Sequence, residues 1–85
     1  MNQKEREEVA TIIGKISDLA GEVRPLADRL QELADAEQEK FDNLSEGLQA
    51  SDRGQSIEQA QGILEEAASA ATDAADSLEG ISADF

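Results

Sequence analysis

From Val9 onward, apolar residues recur at Val9, Ile12, Ile16, Leu19, Val23, Leu26, Leu30 and Leu33, in alternating steps of three and four. That spacing is a heptad seam and predicts an amphipathic helix. Ile13, Ala20, Ala27 and Ala34 lie beside the seam and widen it with mostly small side chains. A second seam repeats the rhythm at Ile57, Ala60, Leu64, Ala67, Ala71, Ala74, Leu78 and Ile81, with Ile63, Ala68, Ala70 and Ala75 beside it. Between the two lies FDNLSEGLQASDRGQS, residues 41–56, where Asn43, Ser45, Gly47, Ser51 and Gly54 supply turn and capping chemistry. Ser51 is placed to cap the second helix, and Asp52 suits its first turn.

Two long helices and a short connection predict an all-α chain: one domain, 1–85, folded as a long antiparallel, coiled-coil-like helical hairpin. The expected bounds are about 4–42 for the first helix, 43–50 for the turn and about 51–82 for the second helix. Pro25 falls inside the first helix, where proline removes a hydrogen bond and costs roughly 3 kcal/mol. The seam runs through it unshifted, which favours one kinked helix over a break at GEVRP that would give three helices. Near Glu37 the seam steps by four twice, from Leu33 to Phe41, and so resembles a stutter.

Antiparallel pairing of the seams sets Leu33 opposite Leu64, Leu30 opposite Ala67, Leu26 opposite Ala71, Val23 opposite Ala74, Leu19 opposite Leu78, Ile16 opposite Ile81 and Ile12 opposite Phe85. Phe41, Leu44 and Leu48 are expected to gather around Ile57 as a plug at the turn. The predicted hairpin and oligomer core is thus Ile12, Ile16, Leu19, Val23, Leu26, Leu30, Leu33, Phe41, Ile57, Leu64, Ala67, Ala71, Ala74, Leu78 and Ile81. A lone hairpin covers its stripe on one side only, and two-helix units of this length are marginal. A symmetric homodimer forming a four-helix bundle is the expected remedy; a different protein on the same flank is the alternative.

Composition narrows the chemistry. There is no cysteine and no histidine, so thiol nucleophiles, imidazole bases and ordinary zinc sites are excluded. No phosphate-cradling glycine motif occurs, and the serines have no base partner. Glu37, Glu39, Asp42 and Glu46 cluster near the turn but lack the order of a calcium loop. No catalytic residue, cofactor or metal is therefore expected. No apolar run is long enough for a membrane span, and no basic start precedes an apolar stretch; a cytoplasmic location is expected.

Seven basic residues against twenty acidic ones leave a net charge of −13, which disfavours direct binding to nucleic acid or an anionic membrane and favours basic partners. The imbalance is uneven. Residues 54–85 hold seven acidic residues and no basic one, whereas residues 1–53 mix thirteen acidic with all seven basic. Glu58, Glu65, Glu66, Asp73, Asp76 and Glu79 form the predicted partner-binding acidic face of the second helix. Such a rod of charge could imitate a phosphate backbone; equally, it could be a solvated face that keeps a small bundle soluble.

EQEKFDNLSEGLQASDRGQSIEQA, residues 37–60, resembles a pattern of short acidic proteins of tailed bacteriophages and prophages, in which a similar core joins two amphipathic helices. The match runs through Glu37, Gln38, Glu39, Phe41, Asp42, Asn43, Leu44, Glu46, Leu48, Gln49, Ser51, Arg53, Gly54, Glu58 and Ala60. Ser45 stands where the pattern has proline. The resemblance implies a phage accessory protein acting in a bacterial host cytoplasm, and small acidic phage proteins often inhibit a host enzyme or defence system. The leading expectation is a non-enzymatic protein that binds a basic host factor of nucleic-acid handling or antiviral defence. A structural coiled-coil scaffold is the second reading. The third is an oligomeric sponge for a nucleotide immune signal, for which Arg24, Arg29 and Arg53 are the candidate anion-holding residues.

Overall fold

A computed structural model describes residues 1–82. It contains α1 (Gln3–Asp42), a single-turn α2 (Glu46–Gln49) within the connection, and α3 (Asp52–Glu79). No strand occurs among the described residues, and α1 and α3 pack along one another as a rod of 67 × 17 × 13 Å. No helix of the described residues is long and apolar enough to cross a membrane.

Local chemistry sets the helix ends. Asn2 caps α1 through a reciprocal pair: its side chain accepts from the Glu5 N–H at 2.8 Å, while its own N–H donates to Glu5 Oε1 at 3.5 Å. Ser51 caps α3 by accepting from the Gly54 N–H at 3.3 Å and donates its hydroxyl to the Leu48 carbonyl. Gln49 ties the connection to α1 by donating to the Phe41 carbonyl at 3.1 Å. Pro25 leaves α1 unbroken. Both Pro25 and Gly21, whose carbonyl would otherwise receive the missing N–H, are exposed, so water can take that acceptor.

The interface corrects the expected pairing. The fully buried side chains are Ala20, Ala27 and Ala34 of α1 with Ala68 and Ala75 of α3, and no described side chain larger than alanine is fully buried. Around them Val9, Ile13, Ile16, Val23, Leu30, Phe41, Leu44, Ile57, Leu64, Ala71 and Leu78 are half-buried. In α1 the inward positions therefore run 9, 13, 16, 20, 23, 27, 30, 34, 37, 41, rotated by one residue at every other step. Ile12, Leu19, Leu26 and Leu33 point outward, as do Ala67, Ala74 and Ile81.

Each expected pair within the described residues has one exposed member; Phe85 lies outside them. The physical reason is closeness: a methyl at every seventh residue lets the backbones approach, and a leucine there would hold them apart. With this phase no stutter occurs. Glu37 sits on the seam, its side chain 21% exposed, and accepts from Lys40 Nζ at 2.8 Å. At the turn, Phe41, Leu44 and Ile57 are half-buried, but Leu48 is outward and does not join a plug.

Gly54 is buried where α3 starts, and a Cβ there would run into the Leu48 and Gln49 carbonyl oxygens. Backbone cannot step aside as a side-chain tip can. Gly54→Ala is expected to destabilise by about 1–3 kcal/mol, as overpacking does. Gly62→Ala, where a Cβ meets nothing within 4 Å, is expected to stabilise by roughly 0.5–1 kcal/mol through helix propensity. Urea denaturation of both variants checks the pair of signs. Ala75→Leu is expected to cost about 1–3 kcal/mol by the same overpacking, and an unchanged urea midpoint would contradict the alanine seam.

Candidate interaction surfaces

The seam divides the rod lengthwise into two flanks of opposite character. On one flank Arg24 reaches from α1 to α3. Its Nε donates to Glu79 Oε1 at 2.8 Å, and its Nη2 donates to Glu79 Oε2 and to Asp76 Oδ1, both at 2.6 Å. The two-pronged grip on Glu79 is the geometry in which guanidinium–carboxylate pairs are strongest. It is the interhelical ion pair of the described residues; Arg29–Glu32 and Lys40–Glu37 both stay within α1. The hydrogen bonds from Arg24 hold the Glu79 carboxyl below the usual carboxylate range, and the same contacts raise Arg24.

Next to this pair, on the same flank, lies an open cleft of about 270 Å³ floored by Ala27 and Ala68. Asp28, Gln31, Ser69, Thr72 and Asp73 rim it, with no basic side chain among them. It is too shallow and too polar to enclose a small molecule. Among the described residues, no three carboxylates are grouped to share a metal ion. Gln38 donates to Asp42 at 2.9 Å and Lys40 holds Glu37, so two of the four acidic residues near the turn are engaged along α1.

The six carboxylates expected to bind a partner are divided by this arrangement. Asp76 and Glu79 are taken up by Arg24, and Glu65 accepts from Gln61 at 2.7 Å. Glu58, Glu66 and Asp73 are exposed and form no ion pair among the described residues. Sequence reasoning placed the carboxylates on the right helix and missed their internal counter-ion. The signal was present: Arg24 directly follows the inward Val23, on the side of the seam where α3 carries Glu58, Glu65 and Glu79. The three arginines weighed for anion binding do not converge. Arg24 is between two carboxylates, Arg29 is on the other side of α1 beside Glu32, and Arg53 is in the first turn of α3.

The opposite flank is apolar. On α1, Ile12, Leu19, Leu26 and Leu33 form a ridge at seven-residue intervals, with Leu19 57% and Leu26 65% exposed. Facing the same side on α3 are Ser56, Ala60, Ile63, Ala67, Ala70, Ala74 and Ser77, an uninterrupted uncharged strip in which Ile63 is 58% exposed, with Ile81 just past the helix end. In an antiparallel pair, the flank of each helix that meets across the Arg24 side fixes the other two flanks together on the far side. Isolated exposed leucines are ordinary, but a contiguous apolar face along a rod is not.

Replacing Arg24 tests the polar flank. Glu79 has a lowered folded pKa, so its contribution is present above its unfolded pKa and is lost as pH falls through the lower, folded value. The whole chain, at −13, is at the same time relieved of repulsion by acid, so absolute melting temperatures mix two effects. The difference between native chain and Arg24→Gln isolates the pair. It is expected to favour the native chain at neutral pH and to shrink to nothing below the carboxylate range, as measured by circular-dichroism melts across pH. Comparison of the chain with protein-family models, with curated proteins and with solved structures finds no match.

Proposed function

We propose that this chain is a non-enzymatic protein-interaction module that associates through its apolar flank into a four-helix bundle and turns its acidic outer face toward a basic protein. The observation that carries the reading is the contrast between flanks: the leucine ridge and uncharged α3 strip lie open on one side, while the ionic contacts between the helices lie on the other. A hairpin whose fully buried side chains are all alanine gains little from its own core, since burial is worth about 0.8 kcal/mol per carbon group. Covering the ridge supplies what the hairpin lacks.

Glu58, Glu66 and Asp73 support the second half of the reading, being exposed carboxylates on a helix with no basic residue after Arg53. Their resemblance-derived setting is a phage accessory protein whose partner is a basic host factor of nucleic-acid handling or antiviral defence, in a bacterial cytoplasm. A purely structural assembly part shares the first half of the reading and differs only in having no use for the acidic face.

Solution mass decides the first half. Sedimentation equilibrium is expected to give twice the 9.1 kDa chain mass, and Leu19→Glu with Leu26→Glu is expected to return the chain to 9.1 kDa. A native chain that stays at 9.1 kDa up to millimolar concentration would overturn it. Reversal of Glu58 and Glu65 to lysine, both on the flank away from the leucine ridge, is expected to leave that mass unchanged and to abolish low-salt capture of a basic host protein. Intact capture by the reversed chain would leave the structural reading standing.

A further inference from the structure

The apolar flank is built from two unlike halves, and that asymmetry selects among the ways two copies could meet. The following rests on the association proposed above. Two hairpins face to face can be related by a twofold axis along the rod or across it. An axis across the rod lays α1 on α1 and α3 on α3, with the connections at opposite ends. An axis along the rod lays α1 of each copy on α3 of the other, with both connections at one end. We propose that the occupant of the apolar flank is a second copy of this chain in the latter arrangement, each leucine ridge seated on the other copy's alanine strip.

Shape favours it. The ridge presents large side chains at seven-residue intervals, whereas the facing strip of α3 presents alanines at Ala60, Ala67, Ala70 and Ala74, with Ile63 as its one large side chain. Large into small is how helix ridges enter grooves. Ridge on ridge would instead oppose leucines along one seam, and leave the other as alanine on alanine, with the two seams demanding different interhelical spacings from one rigid hairpin.

Charge favours it as well. Beyond Arg53 in its first turn α3 has no basic residue, so α3 on α3 would set two predominantly acidic helices side by side. Like charges placed together cost free energy, and in this geometry a single arginine at the start of each helix is the one basic group that offsets them. On α1 the outer margin of the ridge carries Lys15, Glu22 and Arg29, the last paired with Glu32, so α1 offers basic side chains there that α3 lacks beyond its first turn. The axis along the rod brings that edge toward the acidic α3 of the second copy, whose Glu66 and Asp73 form no ion pair within their own chain.

The area suffices for a stable pair. The ridge from Ile12 to Leu33 extends about 31 Å at 1.5 Å per residue, and the α3 strip from Ser56 to Ser77 the same. On a face 17 Å wide this is roughly 530 Å² per copy before side-chain relief is added, or about 1,050 Å² in total, just past the ~1,000 Å² that a specific interface should clear.

The chain has no cysteine, and Gly47, in the connection, is exposed with open space around a Cβ. A nitroxide on Gly47→Cys, read by double electron–electron resonance on a sample of known mass, therefore measures which ends meet. The expected result is a dimeric mass with a label separation on the scale of the 17 Å rod width. A dimeric mass with a separation near the 67 Å rod length, or too long to detect, would overturn this arrangement and leave the association itself intact. A monomeric mass would overturn both and assign the flank to a different protein. A second label at Gln3→Cys, at the far end of α1, is expected to be similarly close to its twin, and a long distance there would also overturn the arrangement.

Discussion

The close approach of α1 and α3 across a line of alanines governs the rest of this structure. Ala20, Ala27 and Ala34 against Ala68 and Ala75 leave no room between the helices for a larger side chain. Everything larger is displaced to the edges of the contact: Val23, Leu30, Leu64 and Leu78 wedge half-buried beside the line, and Leu19, Leu26 and Leu33 lie beyond it. Tight backbone packing gains dispersion contacts over a long line, yet each buried methyl removes little apolar area from water. The hairpin is in consequence well matched in shape and weakly driven, with its largest apolar groups still in solvent. Its exposed ridge follows from the seam that excludes it.

The three-and-four rhythm carried the helices, the connection and the antiparallel hairpin directly from the sequence. The phase of the seam was harder because three adjacent stripes on α1 are apolar: Leu19, Ala20 and Val23 illustrate one from each. Choosing by size puts leucine inside and selects the wrong pair of stripes. Regularity would have chosen correctly. The alanine phase runs to Phe41 without a break, whereas the leucine phase needs a stutter at Glu37, and the buried Gly54 and half-buried Gln61 continue the matching phase on α3. A polar residue hid this phase on α3, because Gln61 reads as a surface position although its neighbours on the seam are apolar.

Pro25 was legible in position but not in consequence. It lies on the outward side of α1, directly opposite the seam, where its ring meets solvent and the unpaired Gly21 carbonyl remains accessible to water. Toward α3 the two flanking residues are Val23 and Ala27, both inward and packed. The cost of proline in a helix is thus met where desolvation is least, and the packed side holds α1 continuous. The acidic face was legible as a pattern, but its electrostatic meaning depended on a contact between residues more than fifty positions apart.

That contact also answers a problem created by the alanine line. A seam that repeats every seven residues with the same small side chain is tolerant of sliding, since a seven-residue slip sets alanine against alanine again. Arg24 is not tolerant. In the observed register its fork meets Glu79 and Asp76; displaced by seven, the same reach would end at Thr72 and Ser69, which carry no charge. The connection adds a second restraint, because Gln49 binds the Phe41 carbonyl and Gly54 packs against the Leu48 and Gln49 backbone in one geometry only. An exposed ion pair contributes little stability on its own. Its value here is discrimination: alanine against alanine distinguishes poorly between registers seven residues apart, and one arginine with one tight turn selects the observed one.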